Sequence, residues 1–283
     1  MPPRDVLTVR QRRLGAELRK LRERAGLSST AAAVHNGVNQ ARISNLEAGR
    51  YAISPDRVRT LARGYEAADP AFIDALAAMA GRRDRCWWED YRDVLPKVML
   101  DIAELEHEAS GLRVALAVHI PGLLQTVDHA RALYHETVPA LEPYEVEHRV
   151  AFRIRRQGIL HGDRPMPYKV IIHEAALRLG CGGPKVARAQ LEHLVAMSER
   201  DNITVLVIPF GRGSFPGSGQ PIDYVFGAVP QLDTVTLDTD HGCEFLDAEA
   251  QLTKYRTVLD RLEETALTPE ASRDLMRRVA LDT

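Results

Sequence analysis

The chain has 283 residues, 45% hydrophobic and 27% charged, a globular composition that excludes wholesale disorder and fibrous classes. No apolar run approaches the roughly 18 residues of a membrane span, Met1-Pro-Pro-Arg-Asp-Val lacks a signal-peptide core, and Cys86, Cys181 and Cys243 stand too far apart for a disulfide framework or metal knuckle, which fits a reducing cytoplasm. The net charge of −2 hides an asymmetry: residues 1–85 hold 16 Lys+Arg against 9 Asp+Glu, the remainder 21 against 30. Length and charge together predict two domains, a basic front end suited to a polyanion and an acidic remainder that would repel one.

Residues 8–25 predict a helix, with Val9, Leu14, Leu18, Leu21 and Ala25 near one face and arginines and Lys20 crowding the others. Gly26 is a natural stop, and Ser28 caps a short second helix reaching Val34 or His35. Asn36-Gly37 is a turn signal, Asn39 caps a third helix over Gln40–Glu47, and Ser54-Pro55 and Asp69-Pro70 open a fourth and a fifth. The expected front domain, residues 1–81, is therefore an all-α five-helix unit with a helix-turn-helix at its centre.

The stretch RRLGAELRKLRERAGLS, Ala33, Gly37 and NQARISNLEAGR at 39–50 resemble the XRE-type (lambda-repressor-like) helix-turn-helix family over about residues 10–68. The resemblance implies double-stranded DNA as partner, read by the third helix in the major groove. Gln40, Ala41, Arg42, Ser44 and Asn45 are short, amide-bearing or guanidinium side chains of the kind that read base edges. Arg12, Arg13, Ser29, Asn39 and Arg50 are candidates for phosphate contact, and Glu47 is expected to be structural. Two positions depart from the family pattern: Ser29 stands where Gln is common, and Asn36, in place of an apolar residue, either caps the second helix or loosens its packing.

Residues 82–95 read as a joining segment. Arg82-Arg83-Asp84-Arg85 is a charge run, and Trp87-Trp88 is expected either to wedge the two domains together or to stack on a ligand. From 96 to 283 the pattern is α+β with a mixed sheet. Pro96 opens a helix with Val98, Ile102, Leu105 and Ala109 as one buried stripe, and Leu112 to Ile120 alternate as a strand. Helices follow from Thr126 to about Val138 and over 143–161, then strands at Tyr168–His173 and Ile203–Ile208 around a helix from Pro184 to about Arg200. Weaker strands at Asp223–Val229 and Thr234–Asp238, a helix at about 248–266 and a last one capped by Thr268 complete the domain.

PGLLQT at 121–126, RIRRQGIL at 153–160, HEAALRLGCGG at 173–183, QLEHL at 190–194 and ITVLVIPFGRG at 203–213 resemble the domain of unknown function that follows an XRE-type helix-turn-helix in many actinobacterial regulators. The resemblance implies a regulator, often paired with a small acidic partner protein. His119 and Asp128-His-Ala depart from it, where aromatics and Tyr-Ala are usual.

Catalytic signatures are absent: there is no GxSxG, no HExxH, and the glycine-rich segment from Gly211 lacks the Lys-Ser/Thr of a phosphate loop. No cofactor is implied, and His241 with Cys243 is the closest His/Cys pair, read as surface and not as metal-binding. The segment 211–221 is expected to be a mobile loop, either a lid or a plain connection. Arg149, Arg153 and Arg156 form a stripe that either holds an anionic effector or is a solvated or interdomain salt-bridged face, with Glu145 pairing Arg149 and Glu174 pairing one of the three. The expectation is a cytoplasmic, non-enzymatic, sequence-specific DNA-binding regulator with no membrane partner. Its acidic domain senses a small-molecule effector or docks a partner, and makes a homodimer through Leu275, Val279 and Leu281. The alternatives are an antitoxin-like interaction module, or an enzyme domain acting on a small metabolite or nucleotide.

Overall fold

The computed structural model describes residues 7–81, 86–212, 215, 219–239 and 242–283. The chain divides into two compact units, Met1–Trp87 and Trp88–Thr283. The charge run Arg82–Arg85, residues 213–214 and 216–218 of the glycine-rich segment, and His241 lie outside the described residues.

Among the described residues the first unit is five helices: α1 (Val9–Arg24), α2 (Ser29–His35), α3 (Gln40–Glu47), α4 (Pro55–Gly64) and α5 (Pro70–Ala80). Every start is set by a side chain that accepts a first-turn amide: Thr8, Ser28, Asn39, Ser54 and Asp69. Gly37 takes a φ of +61° in the turn between α2 and α3, which a residue with a Cβ adopts only at a cost. Asn36 caps α2, its side-chain amide donating to Ala32 O at 2.8 Å. Leu14, Leu18, Leu21, Ala33, Ile43, Leu46, Val58, Leu61 and Leu76 make up much of the core.

In this unit α1 and α3 cross backbone against backbone. A Cβ on Gly15 would sit 2.4 Å from Glu47 O, and one on Gly49 2.7 Å from Gln11 O. Beside that crossing the Arg22 guanidinium grips the Glu47 carboxylate at 2.6 and 2.9 Å and donates to Leu27 O at 2.6 Å. Glu47 is structural, as expected.

The second unit is a six-stranded mixed sheet between helices. The strands are β1 (Gly111–Leu116), β2 (Tyr168–His173), β3 (Ile203–Ile208), β4 (Ile222–Phe226), β5 (Thr234–Thr239) and β6 (Gly242–Leu246), in the order β3-β2-β1-β4-β5-β6. β1, β2 and β3 are parallel, and β1-β4, β4-β5 and β5-β6 are antiparallel. The helices are α6 (Lys97–Glu108), α7 (Val127–His135), α8 (Pro143–Arg156), α9 (Glu174–Arg178), α10 (Pro184–Met197), α11 (Glu249–Thr265) and α12 (Pro269–Asp282). Leu252, Leu259 and Leu262 of α11 cover one face of the sheet with Ile171, Leu206, Tyr224, Val235 and Leu237. Leu191 and Leu194 of α10 and Met276 and Val279 of α12 cover the other, over Val170, Ile172, Val205 and Val207.

Several expectations are corrected. The first strand stops at Leu116, and Val118 is 51% exposed. β6 and α9 are additional, and α8 ends at Arg156, followed by a 3-10 turn over Gln157–Leu160. The joining segment is shorter than 82–95, because Trp88 and Leu95 are buried and Trp88 packs edge-on against His107 of α6 at 5.1 Å. Leu275 and Val279 belong to the core under α12, at 7% and 1% exposure, so they are not a dimer stripe; Leu281 alone of the three is exposed.

Removing one partner of a buried ion pair leaves the other charged and desolvated. Glu47→Ala is expected to destabilise the helical unit by about 3 kcal/mol, read by denaturant unfolding. Arg22→Met with Glu47→Leu should recover much of that loss. Equal destabilisation by the single and double variants would show that the pair is not what holds α3 on α1.

Candidate functional site

The helical unit displays α3 by its amino-terminal end. Asn39 caps it through Arg42 N at 2.8 Å, and Gln40, Ala41, Arg42 and Ser44 are exposed while Ile43 and Leu46 are buried. Gln40 Nε2 donates to Ser29 Oγ at 3.2 Å and to Ser44 Oγ at 3.0 Å, which brings the first turns of α2 and α3 side by side. The amino termini of α2 and α3, each a positive dipole end, thus lie beside the side chains suited to base edges. Asn45 is half-buried and accepts from Arg50 Nη1 at 3.4 Å. Arg12 is exposed. Arg13 is not presented in that way: it is 8% exposed and lies 2.9 Å from Glu17 within α1. A guanidinium held by its own helix's carboxylate has little to offer a phosphate, so Arg13 is withdrawn from the phosphate set.

In the second unit the arginines of α8 part company. Arg153 and Arg156 turn inward to line a cavity of about 330 Å³, and Arg149 is not among its lining residues. The floor is the β1-β4-β5-β6 end of the sheet, and the roof is formed by α6, the 3-10 turn Gly122–Leu124, α7 and α8. Ile102 and Leu105 of α6 face this space and are only half-buried, which is why the apolar stripe expected there is not closed over.

The cavity's charges are unevenly matched. Arg156 is held by Glu106 at 2.8 and 2.5 Å, and that carboxylate keeps its guanidinium raised above the ordinary value despite burial. Arg153 donates through Nη1 to Gln125 Oε1 at 2.5 Å and lies 4.6 Å over the Tyr134 ring. Burial pushes the Arg153 guanidinium down. Nearby His129 is pushed down to about 4 by burial, by Arg153 and by His119. On the floor, Asp223 of β4 faces Thr236 of β5, and burial with Glu106 close by pushes its carboxyl up to about 7.

Gln125 is the hinge of the roof. Its amide donates to Ile120 O at 2.7 Å while its oxygen receives Arg153. Gln157 donates to Gln125 O at 2.7 Å, and Gln190 of α10 bonds Leu124 O and Thr126 N, both at 2.7 Å. Glu174 is buried as expected but pairs with Arg178 at 2.7 Å and accepts Phe210 N, not an arginine of α8. Those bonds outweigh its burial and hold its carboxyl below the ordinary value. Glu145 accepts Glu142 N in a capping box and is not the partner expected for Arg149. Cys243 lines the cavity, where burial pushes its thiol up to about 12.

Glu106, Gln125, Tyr134, Asp223 and Thr236 escaped sequence reasoning. The one signal available was polar residues at the inward positions of IDYVF and TVTLDT, in strands whose outward neighbours are apolar.

Opposite pH limbs follow. Asp223 is raised from 3.8 to about 7, so its contribution is intact below about pH 4 and is lost as pH rises to 7. His129 is lowered from 6.5 to about 4, so its contribution is intact above 6.5 and is lost as pH falls through 4. Thermal melts should show Asp223→Asn gaining on the wild type at neutral and higher pH, and His129→Gln flattening the acid limb. Parallel pH profiles for all three proteins would contradict both assignments.

No curated protein and no solved structure matches the chain. Among the described residues no helix is long and apolar enough to cross a membrane. Residues 13–76, which span α1 to α5, match the model of a helix-turn-helix domain, which supports a DNA-binding regulator. Residues 99–278, nearly the whole sheet-bearing unit with its cavity, match the model described as domain of unknown function DUF5753. That match covers more than half of the chain, and the chain belongs to this family.

Proposed function

We propose that the chain is a sequence-specific, XRE-type transcriptional regulator that works in the cytoplasm, with a sheet-bearing unit that senses a small molecule and is not a catalyst. The observation that carries the DNA half is the outward display of Gln40, Ala41, Arg42 and Ser44 from a helix whose other face, Ile43 and Leu46, is locked into the core. Rigid placement is what base-edge readout needs. The sensing half is supported by Arg153, a buried guanidinium that lines the cavity and, unlike Arg156, has no carboxylate within salt-bridge distance among the described residues. A buried charge without an ion partner costs free energy until an anion meets it. A single helix-turn-helix reads few base pairs, so the protein acts as a homodimer on half-sites about 34 Å apart, through a surface other than the buried Leu275 and Val279.

Binding to a selected site should be salt-dependent, with a slope of about −0.9 per phosphate neutralised. Gln40→Ala or Arg42→Ala should each cost about 1–3 kcal/mol and relax preference at one base position. Arg12→Ala should weaken all sequences alike, and Arg13→Ala should act through stability instead. Competition binding against randomised DNA decides it: an unchanged preferred sequence in both α3 variants would remove α3 from the groove.

A further inference from the structure

The sheet-bearing unit is covered by helices on both faces, yet the residues of β4 and β5 that point at α6 and α8 include Asp223, Thr236 and Asp238. Of the two guanidiniums above them, Arg156 is neutralised by Glu106. Arg153 donates to the neutral Gln125 oxygen and lies over the Tyr134 ring, and among the described residues no carboxylate stands within salt-bridge distance of it, Asp238 attracting it only from farther off. Among the described residues neither Asp223 nor Asp238 has an ion-pair partner, and Thr236 Oγ1 reaches Asp223 only at 3.5 Å. The space thus has one unmatched cation on its roof and two unmatched carboxylates on its floor.

We infer that this cavity binds a small amphoteric molecule, with a carboxylate against Arg153 and a protonated amine against Asp223 and Asp238. This rests on the sensing function proposed above and gives its ligand a chemical class. A planar guanidinium without an ion-pair partner matches a carboxylate, which accepts two N–H donors at once. A dianionic phosphate would leave charge uncompensated against one available arginine. His129 on the same side is held neutral, so it adds no second positive charge. An ammonium placed on the floor restores the ionised form of Asp223 that burial otherwise opposes. The volume, about 330 Å³, lies at the small end of ligand sites and suits a metabolite of amino-acid size.

The test uses three probes with one carbon skeleton on the full chain by calorimetry: 6-aminohexanoate, hexanoate and hexylamine. The amphoteric probe is expected to bind about tenfold tighter than either singly charged one. Arg153→Gln should erase its advantage over hexylamine, and Asp223→Asn with Asp238→Asn its advantage over hexanoate, each variant being checked by its melting curve. The wild-type comparison stands without the variants should either fail to fold. Hexanoate or hexylamine binding as tightly as 6-aminohexanoate overturns the amphoteric assignment but keeps a ligand in the cavity, so the sensing function survives. No binding of any probe up to about 10 mM overturns the assignment. Native mass spectrometry of protein purified from its own cells then judges sensing separately, by whether a small molecule of another class is carried.

Discussion

A sheet covered by helices on both faces must bury both sets of strand side chains, and the second unit depends on how each end of its sheet meets that demand. At the β3-β2 end both sets are apolar: Val170, Ile172, Val205 and Val207 on one side, Ile171 and Leu206 on the other. The layers close there. At the β4-β5 end the α11 side is equally apolar, with Ile222, Tyr224, Val235 and Leu237. The opposite side carries Asp223 and Thr236, which cannot be sealed under a helix without losing hydration. Helices α6 and α8 stand off from them, and the roof supplies Arg153, Arg156 and Gln125 in place of leucines. The cavity is the consequence of a polar row in a sheet that is otherwise closed.

The first unit meets a different constraint, the distance between α1 and α3. Gly15 and Gly49 let the two backbones touch, and Arg22 locks Glu47 at the same crossing. With the carboxyl end of α3 fixed, its amino end, capped by Asn39 and tied to α2 through Gln40 and Ser29, stays in one place. The fixed position of the exposed residues is thus inherited from contacts at the opposite end of the helix.

The helical unit was legible almost to the residue because its boundaries are chemical: Ser28, Asn39, Ser54 and Asp69 are caps that act locally, and the structure uses all of them. The sheet's main strands were legible from β-branched runs. What local pattern could not reveal was which way an arginine points. Arg149, Arg153 and Arg156 share a sequence stripe, yet only the last two meet the cavity, because Glu106 and Gln125 reach them from elements 50 and 28 residues away. Leu275 and Val279 failed the same way, since an apolar stripe looks alike whether it faces a neighbour in the same chain or in another.

The same long-range contacts tie PGLLQT, RIRRQGIL and QLEHL to one another. Gln125 of PGLLQT accepts Arg153 of RIRRQGIL, Gln157 of that second block donates back to Gln125 O, and Gln190 of QLEHL bonds Leu124 O and Thr126 N. Each amide is used at both ends or on two partners, so none can be exchanged for an apolar residue without stranding a buried partner. These bonds fix the 3-10 turn and hold Arg153 over the Tyr134 ring. The amides that tie these three segments together thus place at the cavity a guanidinium that, unlike Arg156, has no carboxylate within salt-bridge distance among the described residues.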